Sequence, residues 1–224
     1  MKKSNKAFSD GGFSLLELCI AMTVTLILMA IASTLLAASF KVRNRENSRS
    51  AAIADAQRAL NIMSREIANA GYGLSTNGIV TGGDSNATQI RVRSDLDLSG
   101  STNAADEDVK YVLVNDANGS FIVRMNLRPA QTTGLIANRI DGLAIYYYDE
   151  RVTYTIGDGV ITNVLNAAGA VEAQSTADNA RYIVLLLRVA LPAVGRINSA
   201  GYQPASSTQL VSTVTLRNAN LGDY

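Results

Sequence analysis

Residues 13–40 form one apolar run, interrupted only by small polar residues, the thiol of Cys19 and a single carboxylate, Glu17. As an α-helix rising about 1.5 Å per residue it extends about 42 Å, against a bilayer hydrocarbon core of about 30 Å. It is long enough to cross a membrane once with some helix left over. The twelve residues before it carry Lys2, Lys3 and Lys6 and are too polar to enter a bilayer; the positive-inside rule keeps them cytoplasmic. A secretory signal peptide has its small-residue cleavage site beyond the apolar core. Here the small pair, Gly11-Gly12, comes first.

The rest of the composition narrows the function classes. With 224 residues there is room for one ordinary domain and an anchor, not for two large catalytic domains. Twenty Lys and Arg against 19 Asp and Glu give a formal charge of +1, so no overall field draws a polyanion, and nucleic acid is not a default partner. Histidine is absent, which removes the commonest general base and zinc ligand. No nucleophile elbow or phosphate loop occurs, and an enzymatic role is not expected. A lone cysteine excludes an intramolecular disulfide.

The order basic, glycine, apolar with an early glutamate is that of type IV prepilins, and Gly12-Phe13-Ser14-Leu15-Leu16-Glu17 closely resembles their processing motif. The resemblance implies that a prepilin peptidase cuts after Gly12 and methylates the new amine of Phe13, leaving the helix as an anchor. Glycine lets a protease approach the backbone closely. A carboxylate within an apolar helix costs roughly 2–3 kcal/mol or more and tends to persist where something pairs with it. The family implies that Glu17 meets the free N-terminal amine of a neighbouring subunit during assembly; the alternative is a carboxylate reaching the headgroups. Many major pilins have a proline where Thr34 stands, and its absence favours a minor subunit. The stretches Met63-Ser-Arg-Glu-Ile-Ala-Asn-Ala-Gly-Tyr-Gly73, Ile140-Asp-Gly-Leu-Ala-Ile-Tyr-Tyr-Tyr-Asp149 and Leu210-Val-Ser-Thr-Val-Thr-Leu-Arg-Asn218 are similar to PilW-type minor pilins and J-type pseudopilins of type II secretion.

From Lys41 the sequence turns polar, yet no Pro or Gly occurs before Gly71, so the helix is expected to continue through residues 41–70. Ile53, Ala56, Leu60, Met63, Ile67 and Ala70 recur at spacings of three and four and predict an apolar stripe; Asp55, Arg58, Arg65 and Glu66 are assigned to solvent. Beyond Gly73, short β-branched and aromatic runs predict strands near residues 89–93, 110–115, 121–126, 143–148, 182–191 and 210–217. Residues 116–119 suit a hairpin loop, and residues 75–86 and 163–178 read as surface loops. Alternation sends Tyr146 and Tyr148 to one face of a strand and Tyr147 to the other. The expected fold class is α+β, a long helix packed on an antiparallel sheet. It divides into a leader (1–12), a transmembrane half-helix (13–40), an amphipathic half (41–70) and a β-rich head (71–224).

Asp95, Asp97, Ser99, Gly100 and a closing Asp106 match the oxygen spacing of a twelve-residue calcium loop, with Asp108 a further ligand. The flanks do not read as helices, and the competing reading is a turn of solvated carboxylates. No cofactor is required; calcium is an optional ligand. The function expected from the resemblance is a structural minor pilin that helps initiate or cap filaments. Its partners are prepilin peptidase and other major and minor pilins. Its location is the bacterial inner membrane, single-pass with the head on the non-cytoplasmic side, and then a pilus or pseudopilus. A type II secretion pseudopilin and a filament-displayed adhesin or DNA-capture subunit are the alternatives.

Overall fold

The computed structural model describes residues 14–117, 119–198 and 201–219. Its first element is a single α-helix of 54 residues, α1 (Leu15–Ala68), consistent with a stretch that contains neither Pro nor Gly. Hydroxyls in its apolar half find partners without leaving the helix: Thr23, Thr25, Ser33, Thr34 and Ser39 each donate to a carbonyl three or four residues earlier. Nine strands follow, β1 (Gln89–Arg93), β2 (Asp108–Asp116), β3 (Gly119–Asn126), β4 (Thr132–Asn138), β5 (Ile140–Tyr148), β6 (Thr153–Gly157), β7 (Val160–Leu165), β8 (Tyr182–Leu191) and β9 (Ser206–Thr215).

The described chain divides into two compact units. One is the helix up to Arg45 together with Val194–Gln203; the other is Glu46–Ala193 together with the chain from Pro204. In the first unit the apolar helix surface is bare, with Leu15, Leu26, Leu28, Met29 and Leu35 all at least 60% exposed. Val194 and Gln203 close the intervening loop through two reciprocal backbone hydrogen bonds of 2.9 Å.

The second unit holds the core. The expected single sheet is instead three antiparallel ones, ordered β1-β2-β3-β4, β5-β8-β9 and the hairpin β6-β7. Ala52, Ala56, Ala59, Leu60, Met63, Ile67 and Ala70 of α1 and the turn after it are buried with Ile90, Tyr111, Ile122, Ile145, Ile183 and Leu185 from the two larger sheets. The stripe is shifted slightly from its sequence reading, since Ala52 is buried and Ile53 only half-buried. A second cluster, Tyr148, Val152, Ile161, Tyr182, Val184 and Leu186, packs the other face of β5 and β8 beneath the β6-β7 hairpin. Both faces of β8 are therefore covered, which is why it reads as an almost continuous apolar run. Tyr146 and Tyr148 belong to one cluster and Tyr147 to the other, as alternation predicts.

Strands β4, β6 and β7 were not among the expected strands, and residues 163–165, read as loop, lie in β7. The hairpin between β6 and β7 turns on Asp158 and Gly159, both at positive φ, as a tight turn matching strand twist requires. At the helix exit two glycines meet back to back. Gly71 has φ +79° and a Cβ there would lie 2.5 Å from the Thr76 carbonyl oxygen; one on Gly78 would lie 2.0 Å from the Gly71 nitrogen. This close turn lets the Gly71 N–H donate to the Arg93 carbonyl at 2.9 Å, joining the end of the helix segment to β1.

Candidate functional site

Gly12 and Phe13, the expected processing residues, lie outside the described residues. Glu17 lies in the first turn of α1 and is exposed. Its Oε2 accepts the Ser14 backbone N–H at 3.4 Å, while the Ser14 hydroxyl accepts the Leu16 N–H at 3.3 Å. Ser14-Leu15-Leu16-Glu17 has the spacing of a capping box, with Glu17 accepting the Ser14 N–H and the Ser14 hydroxyl accepting the N–H of Leu16 rather than of Glu17. The position also sets a negative charge against the positive end of the helix dipole. The S-x-x-E spacing was legible in the sequence but was subsumed in the prepilin motif.

The acidic loop between β1 and β2 divides its carboxylates differently from the spacing argument. Asp95, Asp97 and Glu107 converge, with one carboxylate oxygen of each lying within 4.8 Å of the others. Asp95 and Glu107 are 2% and 1% exposed, and Asp97 faces outward. Asp95 Oδ1 and Oδ2 accept the N–H groups of Ser99 and Gly100. Asp97 Oδ1 also accepts Ser99 N–H. Glu107 Oε1 takes Leu96 and Asp97, and its Oε2 takes Ala104. The loop folds its own amide dipoles onto buried carboxylates, which compensates their desolvation. Hydrogen bonds from Ser99 hold the Asp97 carboxyl below the usual carboxylate range.

The Ser99 hydroxyl pairs with that of Ser101, and neither of the other two expected carboxylates joins this group. Asp106, at φ +66°, accepts from Arg124 at 2.8 Å. Asp108 is 1% exposed and accepts from Arg91 through both carboxylate oxygens at 2.7 Å and from Arg93 at 3.0 Å. Three carboxylates are the right kind of donor for calcium. However, calcium takes about six to eight oxygens, and the loop's own N–H groups already engage five of these six carboxylate oxygens. The fit to calcium is incomplete, and no step is routed through it. Glu107 was missed because it lies one residue past the closing position of the twelve-residue template.

Around the loop the charges form fixed networks. Arg91 bridges Asp84 and Asp108, and Lys110 reaches Asp84 at 3.0 Å. Burial pushes the Asp108 carboxyl upward, but Arg91 and Arg93 outweigh it and leave the group below the ordinary range. Lys110 and then Arg91 lower Asp84 as well. Glu66, assigned to solvent from the sequence, is instead half-buried and accepts from Arg124 at 3.0 Å and from the Tyr111 hydroxyl. Desolvation, reinforced by Glu66, holds the Tyr111 phenol well above its usual range. A cavity of about 180 Å³ beside this pair is lined by Glu66, Asn69, Ser94, Asp106 and Arg124, three of which are already ion-paired to one another. No protein-family model, characterised protein or solved structure matches this chain.

Proposed function

We propose that this chain is a minor type IV pilin, a structural subunit that helps initiate or cap a filament once prepilin peptidase has removed residues 1–12. One observation carries the reading: α1 is unbroken from Leu15 to Ala68, with a first half that is bare and apolar and a continuation whose small apolar stripe is the spine of a β-rich head. An apolar helix surface of this length is stable only in lipid or against other apolar helices. A subunit of this kind waits in the inner membrane, head on the non-cytoplasmic side, and leaves it by exchanging lipid for the helices of neighbouring pilins. The proposed role needs no catalysis and no cofactor.

Glu17 is the residue proposed to direct that exchange. Its carboxylate would pair with the N-terminal amine of the adjacent subunit; two unit charges about 4 Å apart attract by about 4 kcal/mol at an effective dielectric near 20, before desolvation is subtracted. The test compares wild type with Glu17→Leu in sheared filaments, using an antibody to the head. Processing should be unchanged, while recovery in filaments should fall at least about ten-fold, the equivalent of about 1.4 kcal/mol. Equal recovery of the variant, or absence of the wild-type chain from every filament fraction, would overturn the reading.

A further inference from the structure

The cavity beside the Glu66–Arg124 pair has two unlike walls, both contributed by the unit that holds the core. Val92 of β1, Val109 of β2 and Leu96 make up the apolar one. The two valines are cross-strand partners, while Leu96 is 49% exposed. Glu66, Asp106 and Arg124 make up the charged one. The space between them is about 180 Å³, room for about six groups the size of a water at about 30 Å³ each.

The charged wall is one cation short. Arg124 donates to Glu66 through Nε and to Asp106 through Nη2, so a single guanidinium serves two carboxylates. Arg217 reaches Asn69 Oδ1 at 3.3 Å, and among the described residues it pairs with neither carboxylate. In the adjoining loop Asp95, Asp97 and Glu107 are held by backbone N–H groups and form no ion pair among the described residues. The local field is therefore negative and draws a cation.

Hydrogen-bond acceptors are left over as well. Ser94 extends the β1-β2 ladder, its N–H donating to the Glu107 carbonyl at 2.9 Å. Alternation then sends its side chain to the side of Val92 and into the cavity, and sends Arg93 to the opposite side, where it meets Asp108. Ser94 is 9% exposed, yet its hydroxyl makes no hydrogen bond among the described residues, whereas a buried hydroxyl ordinarily has a partner. Asp106 Oδ2 also accepts nothing there, and Glu66 Oε1 accepts only from Arg124. Three acceptors match the three N–H donors of an ammonium group, which has no acceptor of its own to satisfy. A metal ion fits worse, because calcium takes about six to eight oxygens and gains nothing from an apolar wall.

We propose that this cavity binds a primary alkylammonium group, its nitrogen among Ser94, Asp106 and Glu66 and its stem along Val92, Leu96 and Val109. The site stands apart from the anchor and from the filament reading, and neither is needed for its test.

The full chain, in dodecyl maltoside at low ionic strength, is titrated by calorimetry with n-butylammonium chloride, with n-butanol as the neutral match. Butylammonium should bind saturably at one equivalent, and butanol at least about ten-fold more weakly, since hydrogen bonds to a charged group are the stronger ones. Asp106→Asn keeps a residue type that tolerates the positive φ of this position and should weaken butylammonium at least about ten-fold. Ser94→Ala should weaken it about three-fold, and it decides the matter if circular dichroism shows Asp106→Asn to be unfolded. Nα-acetyl-lysine N-methylamide separates the sources of such a group. Affinity equal to that of butylammonium supports the site as one for a partner's lysine side chain, and affinity at least about ten-fold lower supports it as one for a small free amine. No saturable binding of butylammonium, equal affinity for butanol, or folded variants that bind as wild type does would overturn the site.

Discussion

The two halves of α1 share one backbone, but the first leaves its apolar surface exposed and the second buries its own. Residues before Arg45 are rich in Leu, Ile and Met, and these side chains are bare; after Glu46 the inner face carries Ala52, Ala56 and Ala59 beside Leu60, Met63 and Ile67, and all six are buried. Side-chain hydrophobicity therefore does not decide burial within this chain. Position relative to the sheets does. The alanines let the helix backbone approach β-sheet side chains closely, with Leu60, Met63 and Ile67 filling the larger gaps, so the polar half gains tertiary packing that its mean hydropathy would not suggest. Among the described residues the apolar half is exposed apart from Ala38, and so large an apolar surface calls for a solvent other than water.

The sharpest way to break this contrast is to truncate one large side chain in each half. Met63→Ala should cost about 3–4 kcal/mol in denaturant unfolding of the head, because it leaves a cavity at a fully buried site. Ile27→Ala, on the bare half, should change the same measurement by less than about 0.5 kcal/mol. Similar losses at both sites would mean that the apolar half is packed against the head. Next in size is Arg91→Ala, which strips Asp108 of one of its two cations and should cost about 2 kcal/mol at neutral pH.

The acid limb of stability gives the sign of that network. Asp84 and Asp108 have carboxyl groups lowered in the folded state, so their contribution is complete above the unfolded value near 4 and is lost as pH falls through the lower folded values. In Arg91→Ala the acid-induced loss should begin at higher pH, followed by circular dichroism; an unmoved limb would show that these pairs do not govern it. The smallest expected effect is that of calcium. Because the loop's own N–H groups already engage its carboxylates, millimolar calcium should leave the thermal midpoint unchanged, and an upward shift of several degrees would assign a metal to Asp95, Asp97 and Glu107.

Periodicity carried most of the fold. The unbroken helix, its stripe and the strands β1 and β8 were legible because their apolar patterns are long or bounded by clear turn residues. Strand β4 was hidden because Thr132-Thr133-Gly134 is polar and flexible and the strand lies at a sheet edge with little burial. The β6-β7 hairpin had a legible signal, Asp158-Gly159 between alternating residues, overshadowed by the Gly- and Ala-rich stretch that follows. Glu66 shows a limit of helical-face reasoning. It is adjacent to the buried stripe, and only the position of Arg124 and Tyr111, 58 and 45 residues away, turns a solvent carboxylate into a helix-to-sheet tie. In the acidic loop, spacing found Asp95 and Asp97 but could not tell that cations would claim Asp106 and Asp108.

The account turns on what happens between Gly12 and Phe13. The direct measurement is the intact mass and N-terminal fragment spectrum of the chain expressed together with a prepilin peptidase. The account predicts a mature protein that begins at N-methylated Phe13 and keeps α1 whole. A chain that retains Met1, or that begins anywhere other than a methylated Phe13, would contradict it.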